Sequence, residues 1–458
     1  MQRLNYWKNG QIMIKRKITS KLCDFYDNNR KALLLTGARQ TGKSFSVRHF
    51  GQSHFRHYIE INFVEQPTAR NIFRKATDVQ DMLVRLSAFA SDELVAGETL
   101  VFLDEIQECP EALTAVKFLV EEGSFRYIMS GSMLGVELKD LRSAPVGFID
   151  SWEMFPLDLE EFMGAVGVSE RVMLHLRECW QHSRPVDEVV HDKLMSIVRL
   201  YLIVGGMPAV VQKYLDTNNL QLVMEEQRAI LRLYQMDIAK YDPDNKLYIR
   251  EIFQLIPPEL NAKNKRFILK NLNEHVKFSR YENSFIWLKD AGVALPAFCV
   301  DEPRVPLVLS RSRNLFKLFQ SDVGLLSASY AEGIQMRILD DDPNLNFGSV
   351  YENLVAQELR CHGFDLYYFN SKKQGEVDFV IEKGGVALPI EVKSGKSYQR
   401  HNALSNILSD SVYNVREAVV LSGANVRVVG RIKYLPLYML QFLCKEEPEA
   451  IYYKVDLP

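Results

Sequence analysis

The sequence predicts an α/β fold, with a parallel sheet in its first third and a second, separate α/β unit toward the C-terminal end. Three observations predict it. Residues 30 to 165 alternate short apolar runs with helical segments, the pattern left by strand, crossover helix and strand. A glycine-framed loop, residues 37 to 44, directly follows the first of those runs. From about residue 346 the order becomes helix, three strands, helix, strand.

Taken in order, the strands expected in the first unit are Ala32 to Leu35, His57 to Asn62, Thr99 to Leu103, Arg126 to Met129 and Gly147 to Met154. Helices lie between them, with apolar residues three and four apart, as at Leu113, Val116, Leu119 and Val120. Residues 166 to 245 keep helical periodicity with no strand run and reach a break at Asp242-Pro243-Asp244, so they read as a helical connector. Three helix-like pieces then precede two β-like runs, Leu295 to Val300 and Val305 to Leu309, parted by Asp301-Glu302-Pro303. Helices followed by a strand pair predict a winged helix. The last unit comprises a helix Val350 to Cys361, strands Leu366 to Phe369, Glu376 to Glu382 and Ala387 to Lys393, an amphipathic stretch after Ser397, and a strand Ala418 to Leu421.

A chain of 458 residues exceeds one compact core. Its formal net charge of -2 excludes whole-chain attraction to polyanions, so any such site must be a local patch. The six cysteines are never closer than 62 positions, which leaves no C-x-x-C pair for zinc or redox work and predicts reduced thiols. No signal peptide is read at the start, and no run approaches the ~20 apolar residues of a membrane span. A cytoplasmic protein without membrane partners is the expectation.

Gly37-Ala38-Arg39-Gln40-Thr41-Gly42-Lys43-Ser44 fits the phosphate-binding loop G-x-x-x-x-G-K-[ST] in its required place between strand and helix. Backbone amides turned inward at the two glycines, together with the helix N-terminus, hold phosphate oxygens. Lys43 is expected to neutralise the β- and γ-phosphates of ATP, and the Ser44 hydroxyl to ligate Mg2+. The apolar run Leu100 to Leu103 ends in Asp104-Glu105. Asp104 is expected to hold the metal and Glu105 to take a proton from the attacking water. An acidic pair can equally be a solvated strand end, and the neighbouring loop is what favours the functional reading. Ser130, in Ser130-Gly131-Ser132 after the fourth strand, is placed to help position water, although serine and glycine are also ordinary turn residues.

A second constellation lies near the C-terminus. Asp378 stands in Glu376-Val377-Asp378-Phe379, and Glu391 and Lys393 in Pro389-Ile390-Glu391-Val392-Lys393. At period two, Glu391 and Lys393 share a strand face. Asp378 and Glu391 could together hold a divalent metal, with Lys393 orienting a water bound to it. Glu352 on the preceding helix is a further candidate, ahead of Glu358. The plain alternative is a charged outer sheet face. Residues 259 to 317 carry eleven Lys or Arg against six Asp or Glu. That balance makes Lys263, Lys265, Arg266, Lys270, Arg304, Arg311 and Arg313 candidates for phosphate-backbone contact, or simply a solvated face.

These residues resemble a family of prokaryotic AAA+-type ATPases that carry a C-terminal domain of unknown function. The resemblance rests on Gly37 to Ser44, Leu103-Asp104-Glu105-Ile106-Gln107, Ser130-Gly131-Ser132, Phe155-Pro156-Leu157 with Glu161-Phe162, Gly205-Gly206-Met207-Pro208 and Asp322-Val323-Gly324-Leu325-Leu326. It implies a P-loop NTPase domain at 1–165, the helical connector at 166–245, a winged-helix-like domain at 246–335 and a restriction-endonuclease-like domain of the PD-(D/E)xK superfamily at 336–458. The partners it implies are ATP and DNA, with a protein partner or homo-oligomer as further candidates. The chain departs from the family at Gly147-Phe148, where Gly-Arg is usual, and Arg142 is the candidate substitute.

Overall fold

The computed structural model describes residues 7–8, 11–12, 14–90, 93–131, 147–241, 246–262, 265–268, 281–342, 348–395, 397–445 and 452–453. Strands β1 (Ala32–Thr36), β2 (His57–Asn62), β3 (Thr99–Asp104), β4 (Arg126–Ser130) and β5 (Ile149–Glu153) form a five-stranded sheet in the order β5-β1-β4-β3-β2. Every pairing in it is parallel. Alternate residues feed two cores. Leu34, Ile59, Ile61, Val101, Leu103 and Met129 pack on one face, and Leu33, Leu35, Leu100, Phe102 and Ile128 on the other. β1, β3 and β4 are buried on both faces and so read as short apolar runs, and all five expected strands coincide with those observed to within one or two residues.

The second sheet is mixed and has eight strands: β6 (Ala294–Val300), β7 (Arg311–Gln320), β8 (Tyr367–Ser371), β9 (Gly375–Lys383), β10 (Val386–Val392), β11 (Ala418–Ser422), β12 (Arg427–Val429) and β13 (Ile432–Pro436). Their order is β12-β13-β11-β10-β9-β8-β6-β7. The β6–β7 hairpin, read from sequence as a wing, is thus an extension of the C-terminal sheet: Tyr367, Tyr368 and Phe369 pair in parallel with Phe298, Cys299 and Val300. The run Val305 to Leu309 is not a strand. Pro306 has no N–H for a ladder, Val308 and Leu309 are exposed, and a short 3-10 turn at Leu307–Ser310 leads into β7 instead.

The helix Gly348–Cys361 runs through the middle of the molecule, with every residue from Ser349 to Leu359 buried. Three of its polar side chains hold neighbouring backbone. Asn353 pairs with both the N–H and the carbonyl of Gln320, at 2.8 and 3.0 Å. Gln357 accepts from Val323 N at 2.8 Å, and Glu358 accepts from Leu159 N at 3.0 Å. Two sequence motifs interlock beside it. Asp322 accepts from Gly206 N at 2.6 Å and caps the helix Val323–Ala328 through Leu325 N at 3.0 Å. One hydrophobic core joins the connector helices to the C-terminal sheet and takes in Ala38, Leu157 and Leu159 of the first unit. Among the described residues no single helix is long and apolar enough to cross a membrane.

Candidate functional site

The loop Gly37 to Ser44 leaves the C-terminal end of β1, where open α/β sheets receive ligands. Gly37 has φ +123°, and a Cβ there would stand 2.2 Å from Met154 O, so no other residue fits. The helix Lys43–His54 starts directly after Gly42 and aims its N-terminal amides into the same space. Lys43 is buried, and its Nζ donates to Gly37 O at 2.9 Å and Ala38 O at 2.8 Å. Burial lowers its pKa to about 8, against the opposing pull of Glu105 and Asp104.

Asp104 closes β3 and gathers the remaining groups. Its Oδ2 accepts from Ser44 Oγ at 2.9 Å and from Asn62 Nδ2 at 3.3 Å. Its Oδ1 accepts from Ser130 Oγ and from Glu105 N, the latter at 3.1 Å. Glu105 adopts φ +53° and accepts from Gln107 Nε2. Gln40, Lys43, Ser44, Asp104, Glu105 and Ser130 line one cleft. Asn62 and Gln107 were not singled out from sequence, although each lies within two residues of a strand end or the acidic pair. Arg142 and Ser132 lie outside the described residues.

The loop is also gripped by two segments distant from it in sequence. Arg16 donates to Thr41 O at 3.0 Å, to Phe155 O at 2.9 Å and to Glu161 at 3.1 Å. Arg39 pairs with Asp237 at 2.9 Å, and Tyr234 Oη donates to Arg39 O at 3.0 Å, both from the long helix Leu220–Tyr241.

The second constellation also assembles. Asp378 on β9 accepts from Val392 N at 2.8 Å, and Lys393 donates to Glu391 at 2.6 Å. Glu352 is buried in the same cluster, whereas Glu358 faces Leu159. Burial pushes Glu391 up to about 8, with Asp378 adding to the shift and Lys393 opposing it. Two members were missed in the sequence, Glu376 and Lys317. Lys317 is fully buried, with its Nζ 2.9 Å from Glu376, 3.6 Å from Glu352 and 3.8 Å from Asp378. Burial works against its charge, but Glu352, Asp378 and Glu376 outweigh that and hold the ammonium above its usual range. Its signal was a lone lysine inside the apolar run Leu315-Phe316-Lys317-Leu318-Phe319. Of the basic candidates, Lys265 pairs with Glu352 and Arg266 with Glu376, and Arg311 stacks on Phe298 at 3.8 Å. Lys263 and Lys270 lie outside the described residues.

Comparison with known proteins agrees with the first geometry. Residues 29–163 match a family model described as an AAA domain. The N-terminal unit has the fold of a P-loop NTPase, and the stretch that matches this model spans its sheet. Behind the AAA domain, residues 195–335 and 347–440 match two further models, each described only as a domain of unknown function. No curated protein matches the chain. Among solved structures, a Walker-type ATPase of Pyrococcus abyssi is 15% identical over 69% of this chain and 96% of its own, with a TM-score of 0.43. The Orc1 protein of Aeropyrum pernix in complex with DNA is 12% identical over 72% of this chain and 91% of its own, TM-score 0.27. Katanin is 13% identical over 60% and 75%, TM-score 0.23. These likenesses are remote.

Proposed function

We propose that the chain binds ATP in the AAA-domain cleft and hydrolyses it, and that the nucleotide state is passed to the C-terminal sheet. The observation that carries this is the meeting of Lys43, Ser44, Asp104 and Glu105 at the ends of two parallel strands. Lys43 now rests on the carbonyls of its own loop, and a triphosphate seated on the loop amides would give it a better partner. Ser44 and Asp104 offer hard oxygen donors side by side, which fits magnesium, and the ion would supply charge neutralisation between phosphates. Glu105 borders the same space and is the base for water. Ser130 fixes Asp104 and through it the geometry of the strand ends.

The test is a pair of variants. Lys43→Ala should raise the Kd for ATP by roughly 100-fold or more, since a buried charge-assisted contact is lost. Glu105→Gln should leave ATP binding intact while slowing turnover by about 100-fold or more. Calorimetry reads the first and phosphate release the second. Unaltered turnover in Glu105→Gln would remove it from the role.

For the C-terminal module two readings compete: a metal-dependent nuclease acting on DNA, or a module that recognises DNA or a protein partner without cutting. The ion pairing of Lys265, Arg266, Lys317 and Lys393 with carboxylates supports the second. DNA is the ligand of choice for a first test, because the exposed Arg304 and Arg311 leave part of the positive charge of 259–317 at the surface.

A further inference from the structure

The metal-dependent nuclease reading of the C-terminal module needs a divalent ion on Asp378 and Glu391. The residues present do not fit that ion. We infer that the ammonium of Lys317, delivered by β7, is the resident cation of this carboxylate cluster and stands in place of a metal. The inference is independent of the ATPase reading and concerns the C-terminal module alone.

The argument starts from charge. Four carboxylates meet here, Glu352, Glu376, Asp378 and Glu391, and four cations are bound to them: Lys265 on Glu352, Arg266 on Glu376, Lys393 on Glu391, and Lys317 among Glu352, Glu376 and Asp378. Positive charge in the cluster at least matches the negative charge. A site for a hard divalent cation instead requires surplus negative charge and several free oxygens.

The oxygens are largely committed as well. Asp378 Oδ2 takes the Val392 amide at 2.8 Å, and its Oδ1 faces Lys317 at 3.8 Å. Glu376 is shared between Lys317 at 2.9 Å and Asn370. Glu391 Oε1 takes Lys393 at 2.6 Å, which leaves its Oε2 without a hydrogen-bond donor among the described residues. Glu352 Oε2 is also without a donor among the described residues and lies 3.6 Å from the Lys317 ammonium, so a divalent ion drawing on it or on Asp378 Oδ1 would sit against that positive charge.

Lys317 cannot easily yield. It is fully buried, sits 5.1 Å from the ring centroid of Tyr368, and lies on a strand held by Ala297 opposite Lys317 and Phe298 opposite Phe316. Moving its ammonium out would strand a charge or break the hairpin. The hairpin that extends the sheet to eight strands is therefore also what supplies the cation.

The test is manganese titration of the nucleotide-free full chain, read by the electron paramagnetic resonance of free Mn2+. Wild type and Asp378→Ala should titrate alike, with no Mn2+ held by the cluster. Lys317→Met keeps the length of the side chain and removes its charge. It should gain about one Mn2+ per chain, lost again in the Lys317→Met, Asp378→Ala double variant. Lys317→Gln serves if Lys317→Met does not fold. A stoichiometric Mn2+ on wild type that Asp378→Ala removes would overturn the inference. So would a folded Lys317 variant that gains no ion, or Mn2+-dependent plasmid cleavage by wild type that is lost in Asp378→Ala and Lys393→Ala.

Discussion

At the scale of single residues, burial makes Lys43 of the phosphate-binding loop costly to keep charged. Burial brings Lys43 to about 8 in the free loop, so its proton leaves as pH rises through that value. A bound triphosphate favours the ammonium, which means that binding above this pH must take up a proton. ATP affinity should therefore be flat near neutrality and weaken by up to about tenfold per pH unit above pH ~8. Calorimetry between pH ~7 and ~9.5 reads this directly, and a flat profile would mean that another group neutralises the phosphates. The glycines, Lys43, Ser44 and the acidic pair were all legible in the sequence, because phosphate chemistry demands those residue types at short, fixed spacing. Lys317 and Glu376 were not, since their role exists only where β7, β9 and the buried helix converge.

At the scale of elements, the helix Gly348–Cys361 is the piece on which the rest is assembled. Its length and position followed from periodicity alone, and its burial on all sides did not. Glu358 shows why a charged residue is tolerated there. Burial holds its carboxyl well above the usual range, with Asp158 adding to the shift, and the group accepts from Leu159 N. Glu358→Gln should then change stability by less than about 0.5 kcal/mol. Glu358→Ala should cost about 1–3 kcal/mol by orphaning a buried amide. Urea midpoints of the two variants check this, and equal losses would mean that Glu358 acts through its charge. The misread run Val305 to Leu309 belongs to this scale too. Its apolar residues satisfied a strand pattern, but Pro306 could not join a ladder, and the strand begins only at Arg311.

At the scale of the whole molecule, the phosphate-binding loop is a contact surface for the second half of the chain. Gly292, at φ +71°, approaches so closely that a Cβ would stand 2.8 Å from Ala38 N. Arg39 and Asp237 tie the loop to the helix Leu220–Tyr241. Any rearrangement of the loop around phosphates must be felt by those elements, which share a core with the eight-stranded sheet. Gly292→Ala should accordingly weaken ATP binding by about tenfold, although the residue lies far from the motif in sequence. An unchanged Kd, with the variant folded, would show that this contact does not reach the nucleotide.

The sequence by itself determined the parallel sheet, the loop at its mouth, the acidic pair and the order of the C-terminal strands, because each is written in local spacing: a period of two, a period near four, or a motif a few residues long. Only the tertiary structure decided that the presumed wing is part of the C-terminal sheet, and that a lysine sits among its carboxylates. It also decided that the two halves meet at the phosphate loop. Those features depend on which distant segments pair and on what charge burial forces them to share, and a linear pattern carries neither.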